Sequence, residues 1–176
     1  EGISAILEAS HQIQRLFALN DHERGVTVNV GTIDGGLHAN VVAPEVSAVI
    51  DARVPTARDA AVVEQAIRGL TPVQDGVSLE IDGGFGRPPL EPTPRNRALW
   101  RAAEAAAEAL GIEIDEAAVG GASDGNTTSL FTATLDGLGP VGDGAHAPHE
   151  YVLISQMPER AALLAVLLME PPARMS

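Results

Sequence analysis

The chain has 176 residues, 45% of them hydrophobic, which suits a globular protein with a buried core in one ordinary domain or two small ones. Its formal net charge of −13, with every one of the 11 basic residues an Arg and none a Lys, repels a phosphate backbone and argues against nucleic acid as a partner. There is no cysteine, so no disulfide framework or thiolate metal site is available. No apolar run reaches the ~18 residues that a bilayer-spanning helix needs, and Glu1-Gly2-Ile3-Ser4 has no basic region of a signal peptide. The expectation is no membrane role and a cytoplasmic location.

In chain order, Ile3, Ile6, Leu7, Ile13, Leu16 and Phe17 fall on one helical stripe, which ends at the polar cluster Asn20–Gly25. Val26, Val28 and Val30 alternate with Thr27 and Asn29, predicting a half-buried strand over 26–33 that breaks at Asp34-Gly35-Gly36. A second strand is predicted over 46–53, with Val46, Ala48, Ile50 and Ala52 on one face and Ser47, Val49, Asp51 and Arg53 on the other. Thr56 to Asp59 resembles a capping box, and the helix it opens turns Val62, Val63, Ala66, Ile67 and Leu70 inward. Val77, Leu79 and Ile81 predict a third strand over 77–82.

Glycine and proline crowd residues 83–94, which marks a linker. Beyond it, Thr93 as N-cap and Pro94 at the first helical position open a long Ala-rich helix that Gly111 closes. Ile112 and Ile114 begin a short strand. A glycine-rich loop, Gly120 to Asn126, leads into a helix, and Gly137 to Pro148 is irregular. The last helix carries Met157, Ala161, Leu164, Ala165 and Leu168 inward and stops before Pro171-Pro172. In the first part, a helix–strand–strand–helix–strand order matches a βαββαβ unit whose first strand precedes residue 1.

Five histidines are present. His11 lies in the first helix and His22 in a turn, so both read as structural or solvated. His38 lies in a loop with nothing to support a role. His146 follows the permissive Gly142-Asp143-Gly144-Ala145 and precedes Glu150. There is no HExxH, and spacing alone leaves His146 open between a metal ligand and an ordinary loop residue. Asp124 is open between a ligand and an Asx-turn residue. Arg53 and Arg87 are the cations best placed to meet a carboxylate, against a plain ion pair between Arg53 and Asp51.

Together these stretches resemble the M20 family of co-catalytic zinc peptidases and deacylases over nearly the whole chain. Thr27–Ile33 with Gly35-Gly36, Asn40-Val41-Val42-Ala43-Pro44 and Ile50-Asp51-Ala52-Arg53 are similar to the family's lid domain, with an Ala inserted before Pro44. Gly86-Arg87-Pro88-Pro89 resembles the segment returning to the catalytic domain. Gly120–Asn126 resembles its G-G-x-S-D loop, and Gly142–Val152 its final histidine motif. The resemblance implies an α+β lid and dimerisation domain over 1–86 and the carboxy-terminal part of an α/β catalytic domain over 87–176.

It further implies His146 as a zinc ligand and Asn40 as an oxyanion-type donor. Arg53 and Arg87 would bind the substrate's carboxylate, and Gly121, Ala122 and Ser123 would line the pocket. The implied activity is hydrolysis of an amide or peptide bond next to a free carboxylate, by a homodimer joined through its lid. The family's H-x-D motif, bridging aspartate and paired glutamates have no counterpart in this sequence. Of the two zinc ions in the complete family enzyme, neither is expected to bind this chain tightly. The rival expectation is a dimerisation or interaction module without catalysis.

Overall fold

The computed structural model describes residues 2–169. The chain divides into two compact units, one ending at Pro89 and one beginning at Leu90. The division falls within the Gly/Pro-rich stretch, slightly beyond the boundary expected after Gly86.

In the first unit, helix α1 (Ala5–Phe17) starts at Ser4, whose hydroxyl accepts the Leu7 N–H. Strands β1 (Thr27–Gly35) and β2 (Val46–Arg53) form an antiparallel ladder with a bulge between Val30 and Thr32. Helix α2 (Ala57–Arg68) is capped by Thr56, which accepts the Asp59 N–H. The alternation that predicts the strands also sorts their faces. Val28, Val30, Ile50 and Ala52 turn toward Leu16 of α1 and Val63 of α2 and form one core with them. The cross-strand pairs Thr27–Arg53, Asn29–Asp51 and Thr32–Val49 occupy the opposite face.

Two expectations in this unit are corrected. Over residues 77–82, Val77, Leu79 and Ile81 are half-buried while Ser78, Glu80 and Asp82 are exposed, yet the segment joins no ladder. Ile3 ahead of α1 and Ile6, Leu7 and Phe17 within it remain nearly half exposed, and the buried line is Glu8, Gln12 and Leu16. The buried polar pair bonds to the 71–74 segment, although Gln12 Oε1 has no partner. Glu8 accepts the backbone N–H groups of Val73 and Gln74, both at 2.9 Å. Gln12 Nε2 and Arg15 Nη1 donate to the Thr71 carbonyl.

In the second unit, helix α3 (Pro94–Leu110) has Thr93 as N-cap, Pro94 in its first turn, and Gly111 at φ 68° closing it. This left-handed cap suits a residue without a Cβ. A short helix α4 (Asp124–Thr128) follows the glycine-rich loop. Strands β3 (Gly142–Asp143) and β4 (Tyr151–Val152) make a small antiparallel hairpin, and a 3-10 turn leads into α5 (Met157–Met169). Helix α5 packs on α3 through Leu163, Val166 and Leu167 against Ala106 and Ala107.

The inward face of α5 is therefore not the predicted one: Met157, Leu164 and Leu168 are exposed, as are Ala161 and Ala165. The helix is apolar on nearly every side, so periodicity could not choose the face. The strand expected at Ile112 and Ile114 is also absent. The two residues turn into the α3–α5 core from an irregular segment without ladder partners. The predicted stop before Pro171-Pro172 lies outside the described residues. Among the described residues no helix is long and apolar enough to cross a membrane.

Candidate functional site

The first unit carries Asn40, Arg53 and Arg87. Asn40 is exposed in the connection from β1 to β2, in a turn closed by the Val41 N–H donating to the His38 carbonyl. Arg53, the last residue of β2, lies on the sheet face that α1 and α2 leave open. Its Nε donates to Asp51 Oδ2 at 2.8 Å, two residues back on the same face. Both side chains are more than half exposed, at 55% and 58%. A pair so exposed contributes about 0–1 kcal/mol. A ligand carboxylate can therefore compete with Asp51 for the guanidinium at little cost. Arg87 is exposed just before the unit ends.

The second unit carries the Gly121–Ser123 loop and His146. Gly121 and Ala122 are exposed, and Ser123 is half-buried as N-cap of α4. The Ser123 hydroxyl accepts the Gly125 N–H at 2.9 Å and donates to Asp136 Oδ2 at 2.5 Å. In return Asn126 Oδ1 accepts the Ser123 N–H, which completes a capping box. The loop is thus fixed at its carboxy-terminal end.

His146 is exposed in the turn joining β3 to β4 and has a left-handed backbone, φ 68°. It is the only non-glycine residue with positive φ among the described residues. The turn is held by the Ala147 N–H to the Gly144 carbonyl at 2.8 Å and the Glu150 N–H to the Ala147 carbonyl at 3.0 Å. Gly144, at φ 74°, lies against the His149 ring so closely that a Cβ there would sit 2.8 Å from the ring. Sequence reasoning found His146 but not this local strain, which depends on φ and has no signature in residue type.

An imidazole suits zinc, but a stable zinc site takes at least three protein ligands. Among the described residues, no group of three or more His, Asp or Glu is placed to hold a metal ion. His146 therefore fits as one donor of such a site, and the described residues do not assemble the rest around it. His11, His22 and His38 lie in the first unit, in α1, in the turn before β1 and in the β1–β2 connection.

Sequence reasoning also missed Glu8. Burial pushes its carboxyl up, but the Gln12 amide, the Val73 and Gln74 backbone N–H groups and the Gln74 side chain together hold it down at about 2. A hydrophobic stripe was the louder signal along α1, and the donors that solvate Glu8 come from more than sixty residues away.

Two helices packed on one face of an antiparallel hairpin, with a separate helical unit following, define a mixed helix-and-sheet protein of small antiparallel ladders. Residues 1–72 match the family model of the peptidase dimerisation domain, M20_dimer. Among solved structures, the fold is similar to that of aminopeptidase PepT from Bacillus cereus ATCC 10987, with a TM-score of 0.61 and 20% sequence identity. That similarity covers 94% of this chain and 45% of the aminopeptidase, so the chain spans less than half the length of that protein. No curated protein sequence matches.

Proposed function

We propose that this chain is the lid and the carboxy-terminal catalytic segment of a homodimeric zinc-dependent hydrolase that cleaves amide or peptide bonds next to a free carboxylate. The observation that carries the reading is the match of residues 1–72 to the peptidase dimerisation domain model. The PepT-like fold, which extends through the second unit, supports it.

In this reading Arg53 exchanges Asp51 for the substrate's carboxylate, because a guanidinium fork receives either carboxylate in the same geometry. Arg87 adds a second cation for that group. Asn40 donates its side-chain N–H to the oxygen that becomes negative as the carbonyl is attacked. Gly121, Ala122 and Ser123 shape the pocket wall, with Ser123 fixed by Asp136. His146 supplies one nitrogen to zinc. Zinc, when bound, polarises the carbonyl and lowers the pKa of a water. The remaining ligands and the general base belong to catalytic sequence beyond this chain.

The absence of a three-ligand group among the described residues favours one alternative, a module that dimerises without catalysing. Zinc content and hydrolysis by the complete enzyme separate the two. His146→Ala should lower both zinc content and turnover, while His11→Ala and His22→Ala leave both nearly unchanged. Full metal and activity in His146→Ala would show the ligand assignment to be wrong. Stoichiometric zinc and robust hydrolysis by residues 1–176 alone would show that the division of ligands is wrong.

A further inference from the structure

The hairpin tip bends His146 into a conformation that a residue with a Cβ rarely adopts, and such a conformation persists only where its surroundings over-determine it. The bond from the Ala147 N–H to the Gly144 carbonyl makes His146 the third residue of a four-residue turn, a position where positive φ occurs, and one side chain adds to it. The His146 backbone N–H donates to Glu150 Oε2 at 3.2 Å, across the turn that the Gly144 and Ala147 carbonyls close. The β3–β4 ladder anchors this turn on both sides through Gly142–Val152 and Asp143–Tyr151, so a bond across its mouth fixes the tip relative to the strands. Glu150 is exposed, and core packing therefore does not account for its position.

We propose that Glu150 is a positioning residue that holds the His146 backbone left-handed and so presents its imidazole at the hairpin tip. The proposal rests on the reading of His146 as a zinc ligand. The bond is charge-assisted, from a backbone amide to a carboxylate, and it spans the four-residue reach between the two positions. Alanine removes the acceptor altogether. Glutamine keeps an amide oxygen at the same reach and preserves the bond without its charge. Holding a ligand in place ahead of the metal avoids ordering it on binding, and loss of such an outer partner typically costs 10–100-fold in affinity, order of magnitude ~10 here.

The test uses the complete enzyme with three variants, Glu150→Ala, Glu150→Gln and His146→Ala. Zinc affinity is read by chelator competition, and amide hydrogen exchange at His146 is read in the zinc-free protein. Glu150→Ala should weaken zinc binding roughly tenfold and speed exchange at His146, while Glu150→Gln restores most of both. Should Glu150→Ala leave exchange at His146 unchanged, the proposal is overturned, whatever zinc does. Should His146→Ala keep its zinc, the reading of the metal site fails instead, and the exchange result still decides whether Glu150 holds the tip.

Discussion

Glu8, Gln12 and Arg15 recur at helical spacing along α1 and together grip the backbone of residues 71–74. Glu8 is 2% exposed, so removing its carboxylate leaves the Val73 and Gln74 N–H groups without this acceptor. Glu8→Ala should destabilise the protein by about 1–3 kcal/mol, measured by urea unfolding, with a smaller loss for Glu8→Gln. The folded carboxyl lies at about 2, below its ordinary 4.5. The ion's contribution is therefore complete above pH 4.5 and is lost as pH falls from there through 2. Unfolding at pH 6 and pH 3 should show wild type losing stability between them and Glu8→Ala losing less. An equal loss in both would contradict the account.

Arg53 is the contrasting residue. Its pair with Asp51 is exposed, so Arg53→Ala should change stability by less than about 1 kcal/mol. In the complete enzyme the same change should raise KM for carboxylate-bearing substrates and leave zinc content intact. Loss of zinc would place Arg53 nearer the metal than proposed.

At the scale of elements, what the sequence made legible was local chemistry. Thr93, Pro94 and Gly111 delimit α3 because capping depends only on neighbouring backbone groups. Thr93→Ala should accordingly cost about 1 kcal/mol in thermal or chemical unfolding. Strands β1 and β2 were legible because one face is apolar and the other polar. Partnership was not legible: residues 77–82 and 112–114 carry strand-like side-chain alternation but no ladder, and pairing depends on what lies across from them. Helix α5 shows the same limit. Leu163 is 1% exposed and its neighbour in sequence, Leu164, is 41% exposed, yet nothing in their chemistry distinguishes them. Leu163→Ala should cost about 2–5 kcal/mol, while Leu168→Ala, at a 78% exposed position, should change stability by less than about 0.5 kcal/mol.

Over the whole molecule, the candidate site residues are divided between the two units. Asn40, Arg53 and Arg87 belong to the first, and Ser123 and His146 to the second. Their assignment came from the order of four motifs along the chain. Residue chemistry by itself left Arg53 as an ion pair, which is how it stands beside Asp51, and left His146 undecided. Large apolar side chains are also exposed in both units, Leu37 at 70% in the first and Val119 and Phe131 at 79% in the second.

In the first unit, the Asn20 side chain pairs with the Val28 backbone in both directions and so closes the outer edge of β1 at that point. The outer edge of β2 pairs with no strand among the described residues. A unit similar to a peptidase dimerisation domain, with an open strand edge, should join two copies. The direct measurement is sedimentation equilibrium of residues 1–176 over a wide range of concentration. The account predicts a species of twice the chain mass that dissociates on dilution, and a monomer at every concentration up to the solubility limit would contradict it.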